Sequence, residues 1–217
     1  MTLLRRRSPG RSGAGFWVEA AAALAYLAFF LTFRGPKRRF WQRMTRTGAV
    51  LGVTALFADP SLRRERPRAA HLVAGTVVAA FLYGIFSLGD RAARRVMPRG
   101  SQEIGDIYSL RRLRPRAELA LRLGLVVAPA EELFWRGLLQ RRLAARLGRW
   151  RGAAAATALY GGAHLCTLNA TLIGAATMAG AAWSTLAALE VPMPALVVSH
   201  MIWDIWIFLI QPTEKPR

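Results

Sequence analysis

Apolar residues in this chain come in long blocks, and arginine clusters close most of the early ones. The block from Phe16 to Phe33 has about 18 residues, the length an α-helix needs to cross the hydrocarbon core of a bilayer. Ala69 to Gly89 is a second, cleaner block. Glu118 to Gln140 (interrupted by Pro129), Ala153 to Leu165, Leu172 to Leu189 and Pro194 to Ile210 follow. Thr47 to Ala58 has only about 12 residues, short for a span. It is either re-entrant or extends back over Phe40 and Trp41. In hydrocarbon every backbone N–H and C=O must be satisfied within the chain, so such runs form helices. The pattern predicts an all-α fold: a polytopic transmembrane bundle of six to seven helices, integral to a bacterial-type cell membrane. Gly161, Gly162, Gly174, Gly180 and Ala181 suit close helix packing in lipid.

The charge balance is strongly basic, with 31 Lys and Arg against 12 Asp and Glu. Such a balance raises nucleic acid as a partner. Here the arginines sit between apolar blocks, with no stripe of interleaved aromatics, so the expected partner is the lipid bilayer and not nucleic acid. The clusters around Lys37 and Arg141 both read as cytoplasmic. Arg5, Arg6, Arg7 and Arg11 precede the first block as they would in a signal peptide. That block is long, and no small-residue cleavage site precedes the Arg34 cluster, so it reads as a retained helix. Asp90 to Arg116 is polar, and Pro98, Gly100 and Ser101 make it loop-like, with room for a surface amphipathic helix after Tyr108. The chain divides there into N-terminal membrane segments and basic loops (1–116) and a membrane core (117–217). The single cysteine, Cys166, permits neither an internal disulfide nor a cysteine metal cluster. His71 reads as interfacial.

Ionisable side chains at membrane depth are costly and mark function by default. The C-terminal half holds Glu131, Glu132, Arg136, His164, His200 and Asp204 within or beside its apolar blocks. Residues four apart share a helix face. Glu132 and Arg136 are so spaced and can pair, which leaves Glu131, about 100° round the helix, free to face a cavity. His200 and Asp204 repeat the spacing, and Asp204 is placed to orient the imidazole. Tyr160 and His164 repeat it again, so three helices can converge on one polar pocket. Carboxylates and imidazoles around a water suit hydrolysis, with a general base on one side and donors for an oxyanion opposite.

Glu131-Glu132-Leu133-Phe134-Trp135-Arg136 resembles the EExxxR motif of the CAAX prenyl endopeptidase and bacteriocin-processing (CPBP, or ABI) family. Tyr160 to His164 is similar to its FxxxH motif, with Tyr for Phe, and His200 to Asp204 to its HxxxN or HxxxD motif. The three follow in the family's order between about Glu118 and Ile210. The resemblance implies an intramembrane glutamic endopeptidase. Glu131 would activate water together with His164, His200 and Asp204 would stabilise the oxyanion, and Glu132 and Arg136 would support the site. Two departures matter. Tyr160 brings a hydroxyl that needs a partner. An ionised Asp204 cannot donate to an oxyanion, so it serves if protonated or by orienting His200.

Other readings remain open on the residues alone. No organic cofactor is expected. Zinc is the alternative, with Glu131, His164, His200 and Asp204 as ligands, although the helical HExxH pattern is absent. Buried polar residues also serve as interhelical glue in a non-catalytic scaffold or immunity-type protein. A proton-coupled carrier would place such groups at depth too, but no repeated halves are visible. Trp135, Trp183, Trp203 and Trp206 read as anchoring or packing. The expected substrate is a membrane-anchored or membrane-inserted protein or peptide.

Overall fold

The computed structural model describes residues 11–96 and 99–210. The basic residues Arg5 to Arg7 and the proposed loop residue Pro98 lie outside the described residues. The described chain is helical throughout: α1 Arg11–Arg34, α2 Phe40–Ala58, α3 Ala69–Val96, α4 Gly100–Ser109, α5 (116–147), α6 Arg149–Ala163, α7 Ala170–Ala188 and α8 (193–210). Short 3₁₀ turns join several of them. This is the expected all-α bundle.

Four stretches are long and apolar enough to cross a membrane by themselves: Trp17–Arg34, Ala69–Val96, Ala170–Ala188 and Met193–Ile210. Helices α2, α5 and α6 pack among them but carry more polar residues or are shorter. Leu27, Phe30 and Leu31 on α1, Val50, Val53 and Phe57 on α2, and Leu72, Val73, Val77 and Phe81 on α3 all face outward. An apolar exterior of this extent is unfavourable in water and favourable against lipid tails. The chain is a multi-pass integral membrane protein.

Successive long helices alternate in direction, and polar contacts mark the two ends. At one end Arg141 lies 3.4 Å from Asp59, Arg142 donates to the Ala58 carbonyl, and the Met193 amide donates to Glu65. At the other end the Trp41 indole donates to the Leu110 carbonyl, and Arg122 donates to Thr45. The expectation that both the Lys37 and Arg141 clusters are cytoplasmic is therefore corrected. They sit at opposite ends of the 19-residue α2, about 27 Å apart. Arginines cap both ends of this bundle, so a basic loop alone does not report its side.

Two elements also differ from expectation. The weak Thr47 to Ala58 block is the second half of a full helix that starts at Phe40, as the second of its two readings had it. Its polar Thr47 is buried and shares a 2.8 Å hydrogen bond with Thr32 on α1, which removes its cost in lipid. Most of the stretch from Asp90 to Arg116 is helical and not a loop: α3 continues to Val96, and α4 runs from Gly100 through Tyr108 to Ser109 instead of starting after Tyr108. Asp90 and Arg94 pair one turn apart at 3.1 Å, and α4 buries Ile104 and Tyr108 against the bundle.

Helix α4 is pinned by one carboxylate. Glu103 accepts hydrogen bonds from the Thr171 amide and hydroxyl, both at 2.8 Å, at the start of α7. The Thr171 amide holds the Glu103 carboxyl below the ordinary glutamate range. Its stabilising contribution is therefore complete above about pH 4.3 and is lost as the pH falls through the lower folded value. Hydrogen exchange is expected to show α4 protection falling over that acid window in the wild type, with no such step in Glu103→Gln.

Pro129 lies inside α5 without ending it. The turn before it, Leu123–Val127, widens to the π form, in which the Ala128 amide bonds to the Leu123 carbonyl. A wide turn accommodates a residue that has no N–H and a ring that crowds the preceding turn. Arg141 does not close this helix either. It runs on through Leu147 and stops at Gly148, whose φ of +85° suits glycine.

Phe29, Leu51, Phe134, Trp135, Leu139 and Tyr160 unite α1, α2, α5 and α6 in one core. Leu82, Phe86, Trp183 and Leu196 unite α3, α7 and α8 in another. The ionisable residues lie between these two clusters.

Candidate active site

Helix α5 carries Glu131, Glu132 and Arg136 near the middle of its length. Glu131 is about 22 Å from one end of the helix and about 24 Å from the other. Tyr160 lies in the last turn of α6 and His164 directly follows that helix, while α8 carries His200 and Asp204. Glu131, Glu132, Arg136, His164 and His200 are all buried, and the Asp204 side chain is 15% exposed.

Two hydrogen-bonded groups result. In the first, Glu132 Oε1 accepts from Arg136 Nη1 at 3.0 Å and from His200 Nδ1 at 2.8 Å. The pair expected on α5 is thus present, but it also reaches α8. The direct partner of the His200 imidazole is Glu132. Asp204 stands 3.6 Å from His200 Nε2, beyond a normal hydrogen bond. Arg136 also donates to the Gly180 carbonyl on α7 at 3.3 Å. Gly180 also lies against the Tyr160 ring, where an added Cβ would meet Tyr160 Cδ1 at 2.8 Å.

In the second group, the Tyr160 hydroxyl donates to Glu131 Oε2 at 2.8 Å. The Tyr160 carbonyl lies 2.9 Å from His164 Nδ1. A carbonyl only accepts, so Nδ1 carries the proton and Nε2 of the neutral ring keeps its lone pair. Tyr160 therefore joins Glu131 to His164 and gives its own hydroxyl the partner it needs. The His164 ring packs against Phe29 and Phe33 of α1, at centroid distances of 5.1 and 5.8 Å.

The four side chains considered as zinc ligands do not form a ligand set. Among the described residues no three His, Cys, Asp or Glu side chains are gathered to hold a metal ion.

Sequence spacing did not single out α1 or α7 as parts of this site. Phe29 and Phe33 flank His164, and Trp183 stacks on His200. The one available signal on α7 was the run of buried Ala176, Gly180, Trp183 and Ser184 at helical spacing, which reads equally as ordinary packing.

The fold and the site together define a multi-pass membrane bundle in whose interior carboxylates and imidazoles from three helices converge. Residues 115–206, which span α5 to the start of the last turn of α8, match the family model described as type II CAAX prenyl endopeptidase Rce1-like. Over that segment the chain is similar to this peptidase family, and the match covers all three motifs. No curated protein sequence and no solved structure matches the chain.

Proposed function

We propose that this protein is an intramembrane glutamic endopeptidase of the CPBP type. It hydrolyses a peptide bond in a membrane-anchored or membrane-inserted protein or peptide. The observation that carries the reading is the Glu131, Tyr160 and His164 linkage, in which a carboxylate and an imidazole are both held by one tyrosine.

Glu131 accepts a proton from a water that also hydrogen-bonds to His164 Nε2, and the water oxygen attacks the scissile carbonyl carbon. The negative charge that develops on the carbonyl oxygen is met by the Nε2–H of His200 in its doubly protonated form, whose Nδ1–H stays on Glu132, and by Asp204 in its protonated form. Collapse of the intermediate breaks the C–N bond, and the proton held by Glu131 passes to the leaving amine. Glu132 and Arg136 fix His200 and do not touch the substrate. Neither an organic cofactor nor a metal enters this reaction. The position of Glu131 near the middle of α5 favours a substrate already in the bilayer over a soluble peptide. No residue of the site is assigned to a prenyl chain.

The test is cleavage of membrane-anchored reporter peptides by purified protein in detergent, with a metal chelator present. Wild type is expected to cleave and His164→Ala to lose about 10²-fold or more in rate. Loss of wild-type activity on chelation, restored by zinc, would favour the metal reading. A folded wild type inert toward a broad reporter set would favour the scaffold reading.

A further inference from the structure

Helix α7 carries none of the motif residues, yet it touches both hydrogen-bond partners of Glu132, Arg136 and His200. The Trp183 indole stacks on the His200 imidazole with ring centroids 3.9 Å apart and planes 20° apart. The Arg136 guanidinium lies 5.4 Å from the same indole, within cation–π range. Trp183 is fully buried and is itself fixed. Its Nε1–H donates to Ser199 Oγ at 2.9 Å, and the Ser199 hydroxyl donates to the Leu196 carbonyl at 2.7 Å. Trp203 packs edge-on against it at 5.5 Å and 86°.

One hydrogen bond to Glu132 fixes the distance of His200 but leaves the ring free to tilt about the N–H···O direction. A parallel ring at van der Waals distance removes that tilt. We propose that Trp183 is a positioning residue of the reaction: it holds the His200 imidazole plane in the orientation its donor role requires, with Ser199 setting the plane of the indole. This rests on the peptidase reading for its kinetic consequence, while the stacking itself is tested separately.

The experiment compares wild type, Trp183→Leu, Trp183→Phe and Ser199→Ala, purified in detergent and checked for folding by thermal unfolding. Trp183→Leu is expected to lower kcat by about 10- to 100-fold, as a misplaced group does, with KM within about twofold. Trp183→Phe, which keeps a stacking ring, is expected to recover most of the rate. The second readout needs no activity. The chain has three histidines, so the His200 ring signal in a histidine-labelled NMR spectrum is identified by its absence in His200→Gln. Ring current from the indole is expected to shift that signal upfield in wild type, and the shift is expected to vanish in Trp183→Leu. The proposal is overturned if folded Trp183→Leu keeps the wild-type kcat, if its loss lies in KM, or if Trp183→Phe is as slow as Trp183→Leu. Should Trp183→Leu fail to fold, Ser199→Ala with wild-type kcat and an unmoved His200 signal overturns it as well. A wild type that cleaves nothing but shows the ring-current shift defeats the peptidase reading and leaves the positioning of His200 supported.

Discussion

Glu131→Gln is expected to lower kcat for peptide hydrolysis by about 10²- to 10⁴-fold, the usual contribution of a general base, without unfolding the protein. Glutamine has the shape of the side chain it replaces, and its amide oxygen accepts the Tyr160 hydroxyl as Glu131 Oε2 does at 2.8 Å. Packing around the residue, 4% exposed, is therefore retained. What is lost is a group that takes a proton from water, since an amide is not basic enough to do so. KM is expected to change little, because Glu131 meets the water and not the substrate's flanking residues. Steady-state kinetics alongside thermal unfolding separate this result from a general loss of structure. A rate within tenfold of wild type in folded Glu131→Gln would remove Glu131 from the mechanism.

The largest expected effect on stability belongs to the neighbouring residue. Glu132→Ala leaves the Arg136 guanidinium, 1% exposed, without its carboxylate, and leaves His200 Nδ1 without its 2.8 Å partner. Removing one partner of a buried ion pair costs about 3–5 kcal/mol, because the remaining charge is uncompensated. Activity is expected to be lost at the same time. Replacing both members by apolar residues, Glu132→Leu with Arg136→Met, is expected to recover much of the stability, since the desolvation of both charges is removed together. It is not expected to recover activity, because His200 still lacks its anchor. Equilibrium unfolding of the two variants, read beside their kcat, distinguishes a pair that only staples helices from one that also orders the site.

The sequence made the bundle legible because lipid demands long uninterrupted apolar runs, and α1, α3, α7 and α8 meet that demand alone. It said less about α2, whose Thr47 and basic residues lower its apolarity while Thr32 satisfies the threonine across the interface. It misled on α4, where composition suggested a loop and docking by Ile104, Tyr108 and Glu103 makes a helix. It misled again on the two ends of the bundle, since arginines lie at both.

In the site, spacing identified neighbours on one helix, such as Glu132 with Arg136 and Tyr160 with His164. Bonds between helices were not readable from spacing. The His200 to Glu132 bond crosses 68 residues and the Tyr160 to Glu131 bond crosses 29, and both depend on how α5, α6 and α8 pack. Trp183 was visible only as one more tryptophan in an apolar helix.

The most direct measurement is cleavage of a membrane-anchored peptide library by the purified protein in ¹⁸O-labelled water with chelator present, read by mass spectrometry. A new carboxyl terminus carrying ¹⁸O from the solvent is expected with wild type, and its absence with Glu131→Gln. Equal labelled cleavage by Glu131→Gln, or no cleavage of any anchored peptide by folded wild type, would contradict the assignment of this buried Glu and His site to peptide hydrolysis.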